Sequence, residues 1–230
     1  MAGGEKKKSD LGVRTASAVV MVAVAGTALW LGGWVWAAFV AAVALGVLWE
    51  WRGLVAGFQP SPMKRGLWNA GGLVYVGLAA FILAMLRMRD PDAFTAIIAI
   101  ASVIATDIGA YFAGRTFGGP KIAPKISPSK TWSGLAGGML GAGLTLFVAY
   151  HFYDEVPLGL AMMALPVGAV IAIVAQAGDF FESWMKRRAG VKDSGTIIPG
   201  HGGLFDRVDG LLAVCFVLGV LSLHSFVSPQ

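Results

Sequence analysis

The densest group of chemically reactive side chains in the sequence lies between positions 176 and 209. Asp179 is followed at i+3, i+4 and i+7 by three more polar residues, Glu182, Ser183 and Lys186. On a helix this spacing places all four side chains on one face. Taken singly, acid–base pairs of this kind are often solvated surface ion pairs. Their density beside an apolar stretch favours a functional site instead.

Two further acids, Asp206 and Asp209, stand three residues apart at the start of the last apolar stretch. Two helices can therefore each present carboxylates at the same end of a bundle. Such oxygen ligands suit a hard cation such as Mg²⁺ that also binds substrate phosphates. Basic residues between the acids would neutralise the remaining phosphate charge. These residues are Lys186, Arg187, Lys192 and Arg207. The glycines of His201-Gly202-Gly203 would let a ligand approach the backbone closely.

A second polar segment begins at Asp107, late in another apolar stretch. An ionisable side chain at that depth is costly and by default indicates function; the alternative is a helix-end carboxylate that pairs with Arg115. The loop over 118–131 combines cations, hydroxyls and prolines, and with its backbone N–H groups it can hold phosphate oxygens. Its candidate anion ligands are Lys121, Ser127, Ser129, Lys130 and Thr131. Residues 129–131 also open the next helix, whose N-terminus favours an anion.

The elements that must position these residues are membrane helices. Of 230 residues, 57% are hydrophobic and 13% are charged, against about 45–50% and about 25% in a soluble domain. Several continuous apolar stretches are each long enough to cross a hydrocarbon core of about 30 Å as a helix. They cover 13–31, 34–50, 67–86, 93–113, 132–153, 157–181 and 208–227. The prediction is an all-α, polytopic integral membrane protein with about seven transmembrane helices. It forms a single domain over 1–230, in which 100–209 carries the catalytic motifs.

The distribution of Lys and Arg predicts the orientation of these helices. If the N-terminus is cytoplasmic, all 18 Lys and Arg residues except Arg87 and Arg89 fall in cytoplasmic segments, which is a strong positive-inside bias. Basic loops that only determine topology would account for this bias, but not for the acids and glycines between the cations. The expected location is a bacterial-type inner (plasma) membrane, with the N-terminus and the active site cytoplasmic and the C-terminus external.

The polar motifs resemble the signature of the phosphatidate cytidylyltransferases, also called CDP-diacylglycerol synthases. The longest runs Ser183-Trp-Met-Lys186-Arg187, then Lys192-Asp193-Ser-Gly, then Pro199-Gly-His201-Gly202-Gly203-Leu-Phe-Asp206-Arg207-Val-Asp209. The others are Gln176…Gly178-Asp179…Glu182-Ser183 and the upstream Asp107…Lys121…Ala-Pro-Lys-Ile-Ser127-Pro-Ser-Lys130-Thr131-Trp. The likeness is close over 100–209 and generic over 1–95. Ser133 departs from it, because the family commonly has Glu at this position.

The resemblance implies that CTP and phosphatidate react to give CDP-diacylglycerol and pyrophosphate in phospholipid biosynthesis. It implies a Mg²⁺ centre, with K⁺ as a second cation, held between Asp179 and Asp206 and supported by Asp107. Lys130 and Arg207 complete the expected catalytic set with the two aspartates. The expected substrate-binding residues are Lys121, Ser127, Ser129, Thr131, Glu182, Ser183, Lys186, Arg187, Lys192, Asp193, His201, Gly202, Gly203 and Asp209. The expected partners are CTP, phosphatidate, the lipid bilayer and a second copy of the chain in a homodimer, with no nucleic acid.

Two other functions would use similar residues. A CTP-dependent polyprenol or phytol kinase would release CDP in place of pyrophosphate. An ion-coupled transporter would use Asp107 and Asp179 as ion sites, but transporters tend to place such acids near the bilayer midplane and often contain inverted repeats. The acids of this sequence cluster at helix ends and no internal repeat is evident, which favours an enzyme.

Overall fold

The computed structural model describes the backbone of residues 3–227 and the side chains of residues 11–222. Helices dominate this range. They are α1 (Gly3–Leu31), α2 (Gly33–Gly57), α3 (Pro62–Arg89), α4 (Phe94–Phe117), α5 (Trp132–Val148, continued by a π-helical turn over Ala149–Tyr153), α6 (Leu158–Ala161), α7 (Ala164–Ala189) and α8 (Phe205–Val227). The C-terminal residue and the side chains of Lys6, Lys7 and Lys8, which entered the orientation argument, lie outside the described residues.

The helices confirm an all-α, multi-pass membrane protein. Within the described part of the chain, 6 stretches are long and apolar enough to cross a membrane. They are Leu11–Leu31, Gly33–Gly57, Pro62–Arg89, Phe94–Phe117, Trp132–Tyr153 and Leu158–Ala189. The remaining predicted stretch, 208–227, corresponds to α8, a helix of 23 residues whose first turns carry Asp206, Arg207 and Asp209.

The segment between α4 and α5, predicted as a loop, contains a short antiparallel hairpin. Strand β1 (Lys121–Ala123) pairs with β2 (Ser127–Thr131), and Lys121 lies opposite Thr131. The Ile126 N–H donates to the Ala123 carbonyl at 3.0 Å across the turn. A hairpin pairs backbone groups that an extended loop would leave to water. It also fixes the position of Lys130, two residues before α5 begins.

Small residues let α4 and α5 pack backbone against backbone. A Cβ atom added to Gly137 would collide with the Ala113 side chain and the Gly109 carbonyl. Close approach of this kind is characteristic of membrane helices, because small residues at the contact let the two backbones pack directly against each other. The contact holds Asp107 of α4 beside the strand that leads into α5.

A similar close contact joins α7 to α8. A Cβ atom on Gly178 would lie 2.6 Å from both the Asp209 carbonyl oxygen and the Ala213 Cβ. Glycine is therefore required here by the separation of the two backbones. The contact brings Asp179, the next residue on α7, next to Asp209 of α8.

Arg87, one of the two exceptions to the charge bias, has a structural role at the opposite end of the bundle. Its guanidinium donates to the carbonyls of Leu29 at 2.8 Å and Trp30 at 3.3 Å, in the last turn of α1. These carbonyls lack partners within their own helix, and a cation is favourable at a helix C-terminus. Arg87 thus links α3 to α1.

We expect Gly137→Ala to lower the thermal unfolding midpoint of the detergent-purified protein. The added methyl group would overpack the contact between α4 and α5, a change that typically costs about 1–3 kcal/mol. Gly77→Ala is the matched control, because Gly77 lies inside α3 with no atom within 4 Å of an added Cβ. That control should be neutral or stabilising by up to about 1 kcal/mol. Equal midpoints for the two variants would contradict this account of the contact.

Candidate active site

The site is built around an ion pair between the hairpin and α7. Lys130, near the end of β2, places its Nζ atom 2.5 Å from Asp179 Oδ2. Asp179 also accepts a hydrogen bond from the Ser183 hydroxyl one turn later, at 3.3 Å. The helical spacing of the sequence therefore brings Asp179 and Ser183 onto one face, and the tertiary fold adds Lys130 from a distant segment.

Three carboxylates determine the charge of Lys130. Burial lowers the pKa of Lys130, but Asp179, with smaller contributions from Asp107 and Asp209, raises it above its ordinary value. Lys130 is therefore a cation at neutral pH.

Arg115 donates to the Tyr111 hydroxyl at 2.8 Å, so the sequence-based alternative of an Asp107–Arg115 pair is not the arrangement that the structure shows.

Three acids converge closely enough to hold a metal ion. Oxygen atoms of Asp179, Glu182 and Asp209 all lie within 4.8 Å of one another. The second Glu182 oxygen, Oε1, is buried and accepts no hydrogen bond from the described residues. A set of carboxylate oxygens with unused acceptor capacity fits a hard cation such as Mg²⁺.

Lys186 joins this group to α8. Its Nζ atom lies 2.6 Å from Glu182 Oε2 and 2.5 Å from Asp206 Oδ1. The Glu182 side chain is only 1% exposed, and those of Lys186 and Asp206 are each 11% exposed. Buried carboxylates are tolerated when they are paired and hydrogen-bonded, and Lys186 supplies that pairing to both.

Both carboxylate oxygens of Asp206 have partners within the chain. Its Oδ2 atom accepts hydrogen bonds from the Ser194 N–H at 2.9 Å, the Ser194 hydroxyl at 2.9 Å and the Gly203 N–H at 3.0 Å. With Lys186 on Oδ1, both oxygens are engaged. The three acids that converge are Asp179, Glu182 and Asp209. Asp206 organises the loop before α8, and its part in holding a cation stays a prediction.

The loop between α7 and α8 is folded around a tight turn. The His201 N–H donates to the Ile198 carbonyl at 3.0 Å, and Gly200 has a φ of 75°, as expected of a glycine at the third position of a type II turn that follows proline. His201 Nδ1 lies 2.8 Å from the Ser17 hydroxyl of α1. Arg207 donates to the His201 carbonyl. Gly202 and Gly203 complete the close approach of this loop to Asp206.

The predicted phosphate loop contains buried and exposed residues, and its binding of phosphate stays a prediction. Thr131 caps α5, since its hydroxyl accepts the Gly134 N–H at 3.1 Å. Ser127 is buried, whereas Lys121 is exposed and donates to the Ser129 carbonyl at 3.3 Å. Ser133, at the position where the resemblance leads one to expect Glu, donates to the Gly118 carbonyl and ties the end of α4 to the start of α5.

The remaining predicted substrate-binding residues lie at the rim of the site. Arg187, Lys192 and Asp193 are exposed. Arg187 donates to the Val191 carbonyl at 3.5 Å, just beyond the end of α7. The structure thus brings together the acids and lysines of α4, β2, α7 and α8, and leaves these three residues exposed to solvent.

The comparison with known protein families agrees with this arrangement. The sequence model of the cytidylyltransferase family matches residues 60–224, which span α3 to α8 and include every element of the site described above except Ser17. The chain belongs to the cytidylyltransferase family.

Several relatives of this chain carry the same name. A protein of Brucella suis named phosphatidate cytidylyltransferase is 48% identical over 153 residues, which cover 66% of this chain and 55% of the relative. A Haemophilus influenzae protein of the same name is 40% identical over 169 residues, 66% of this chain and 58% of the relative. One from Rickettsia conorii is 30% identical over 230 residues, 96% of this chain and 94% of the relative. The chain therefore spans about half the length of the first two curated relatives and nearly all of the third.

Sequence reasoning missed two residues at the site, Glu50 and Ser194. Glu50 lies inside α2 and is 5% exposed. It accepts hydrogen bonds from the Leu204 and Phe205 N–H groups, each at 2.8 Å. The signal was present, because a lone acid in an apolar stretch is unusual. It was missed because the predicted stretch ended at position 50, whereas α2 continues to Gly57.

We expect Lys186→Met to destabilise the protein strongly. Removing one partner of a buried ion pair leaves uncompensated charge and typically costs about 3–5 kcal/mol, and here two carboxylates lose the same partner. Lys192→Met is the matched control, because Lys192 is exposed on the loop. The thermal unfolding midpoint in detergent should fall for the first variant and stay unchanged for the second. A wild-type midpoint for Lys186→Met would contradict the role assigned to Lys186.

Proposed function

We propose that this protein transfers the cytidylyl group of CTP to phosphatidate, giving CDP-diacylglycerol and pyrophosphate in phospholipid biosynthesis. The observation that carries the proposal is the convergence of Lys130 and Lys186 with the carboxylates of Asp179, Glu182 and Asp209 at one end of the bundle. Family membership and the names of the relatives support it.

In this proposal Asp179, Glu182 and Asp209, which form the converging group, would hold a Mg²⁺ ion. Bound there, Mg²⁺ would supply Lewis-acid stabilisation of phosphate oxygens. Asp206 pairs with Lys186, and its part in holding a cation stays a prediction. K⁺ as the second cation and Asp107 as a supporting residue stay predictions.

The chain's own side chains account for binding and charge neutralisation. A phosphate oxygen of phosphatidate is already anionic, so attack on the α-phosphorus of CTP needs no strong base, and pyrophosphate leaves as an anion. Catalysis of this kind depends on positioning and on stabilising negative charge. Lys130 and Lys186 are the cations nearest the acids, and Arg207 lies on the adjacent turn of α8. Their ammonium and guanidinium groups would bind the phosphates of both substrates.

The location of the site suits one soluble and one lipid substrate. The acids and lysines lie in the last three turns of α4 and α7, near the end of β2 and in the first turns of α8. We place this end at the cytoplasmic surface of the inner membrane because the cations cluster there, with the C-terminus external. CTP then arrives from water and the lipid headgroup from the leaflet. A homodimer remains a prediction.

The direct test supplies the detergent-purified protein with CTP, phosphatidate and Mg²⁺, with and without EDTA. We expect pyrophosphate and CDP-lipid in equal amounts, and neither product with EDTA. CDP with a phosphorylated polyprenol or phytol in a parallel reaction would identify a lipid kinase instead. No turnover of either kind by folded protein would refute the proposal.

Asp179→Asn should abolish CDP-lipid formation, because it removes one carboxylate of the converging group and the charge that faces Lys130. The expected loss is about 10²-fold or more, as for other misplaced catalytic groups. Asp154→Asn is the matched control, since Asp154 is exposed beyond α5 at the opposite end of the bundle. A wild-type rate for Asp179→Asn, with both variants folded, would contradict the catalytic role assigned to Asp179.

A further inference from the structure

Glu50 is a buried acid whose hydrogen bonds all lead to the site. It lies on α2, before the residues 60–224 that the family model matches. Its Oε1 atom accepts the Leu204 N–H, and its Oε2 atom accepts the Phe205 N–H, each at 2.8 Å. The Ser194 hydroxyl also lies 2.9 Å from Oε2, and its single proton is shared between this oxygen and Asp206 Oδ2. Glu50 therefore contacts both ends of the loop between α7 and α8.

The Ser194 hydroxyl connects Glu50 to Asp206. It lies 2.9 Å from Glu50 Oε2 and 2.9 Å from Asp206 Oδ2. Asp206 in turn accepts Lys186 on its other oxygen. A continuous chain of polar contacts thus runs from α2 through the loop to the lysine that faces the converging carboxylates.

The backbone around Glu50 is shaped to receive its carboxylate. A Cβ atom on Gly195 would collide with Glu50, and one on Gly203 would lie 2.7 Å from Glu50 Oε2. Glu50 also supplies negative charge to the first turn of α8, where orphan N–H groups and the helix dipole favour an anion.

We propose that Glu50 is a positioning residue of the active site, which holds Asp206 and Lys186 in place by fixing the loop over 194–205 to α2. The proposal rests on the proposed function for its activity readout. Glu50 does not touch the converging acids, so it acts through Ser194 and Asp206. Region 1–95, which by sequence carries only generic apolar stretches, then contributes directly to the geometry of the site.

The test is Glu50→Gln, compared with Glu155→Gln, a control in the exposed turn before α6. The glutamine amide keeps the size of the side chain but replaces one acceptor oxygen by an NH₂ group. That NH₂ group cannot accept from an N–H or O–H donor, so the hydrogen bonds on one of the two oxygens are lost. We expect kcat for CDP-lipid formation to fall about 10²-fold, as for a small displacement of catalytic groups. The KM for CTP should change little, because the loss concerns contacts made in the transition state. Wild-type kcat for Glu50→Gln would overturn the proposal.

Ser194→Ala keeps the proposal testable if Glu50→Gln does not fold. It leaves the bonds from Glu50 to Leu204 and Phe205 intact and removes only the hydroxyl that joins Glu50 to Asp206. A fall in kcat for Ser194→Ala at a wild-type unfolding midpoint would support the positioning role. Unchanged kcat for Ser194→Ala would show that Glu50 only stabilises the fold, and would overturn the role.

Hydrogen exchange of the purified protein provides a readout that does not depend on turnover. In Glu50→Gln, the amides of Leu204 and Phe205 should exchange faster, whereas the Gly134 amide, which Thr131 holds, should not change. If the wild-type protein makes no CDP-lipid, the proposed function fails, but this arm still decides whether Glu50 holds the loop. Unchanged exchange at both amides would show that Glu50 does not hold the loop, and would overturn the proposal.

Discussion

The Lys186 ammonium lies between Glu182 and Asp206, and the arrangement of the site depends on it. Two carboxylates this well buried repel each other and lose hydration, so neither would be stable there as an anion without a shared cation. Glu182 and Lys186 belong to α7, whereas Asp206 begins α8. The Lys186 ion pairs that neutralise the two acids therefore also hold the start of α8 against α7.

Polar contacts extend from this lysine in both directions. Toward the hairpin, a Glu182 oxygen lies within 4.8 Å of Asp179, which pairs with Lys130. Toward α2, Asp206 leads through Ser194 to Glu50. Because electrostatic interactions strengthen where water is excluded, this network is a rigid support with two lysines that can face phosphate. The proposed chemistry asks for positioned charge and not for a strong base, which is what such a network supplies.

Backbone proximity makes the network possible. Gly178 lets α7 approach α8, and Gly109 with Gly137 lets α4 approach α5. Membrane helices have no hydrophobic driving force to associate within lipid, so small residues at the contact and polar bonds between helices must hold them. The glycines and the ionic residues of this protein therefore act together. The glycines set a short distance between helices, and the ionic residues can pair across helices only at that distance.

The sequence by itself determined the class of fold and most members of the site. Continuous apolar stretches have only one way to satisfy their backbone groups in lipid, and a helical repeat of i, i+3, i+4 and i+7 puts Asp179, Glu182, Ser183 and Lys186 on one face regardless of tertiary structure. The motifs likewise indicated the cytidylyltransferase family. Only the tertiary structure decided which acids converge, because Asp206 and Asp209 share a helix and differ in what packs against each. It also decided the part of Glu50, whose partners lie more than a hundred residues along the chain, at a distance over which sequence spacing carries no geometric information.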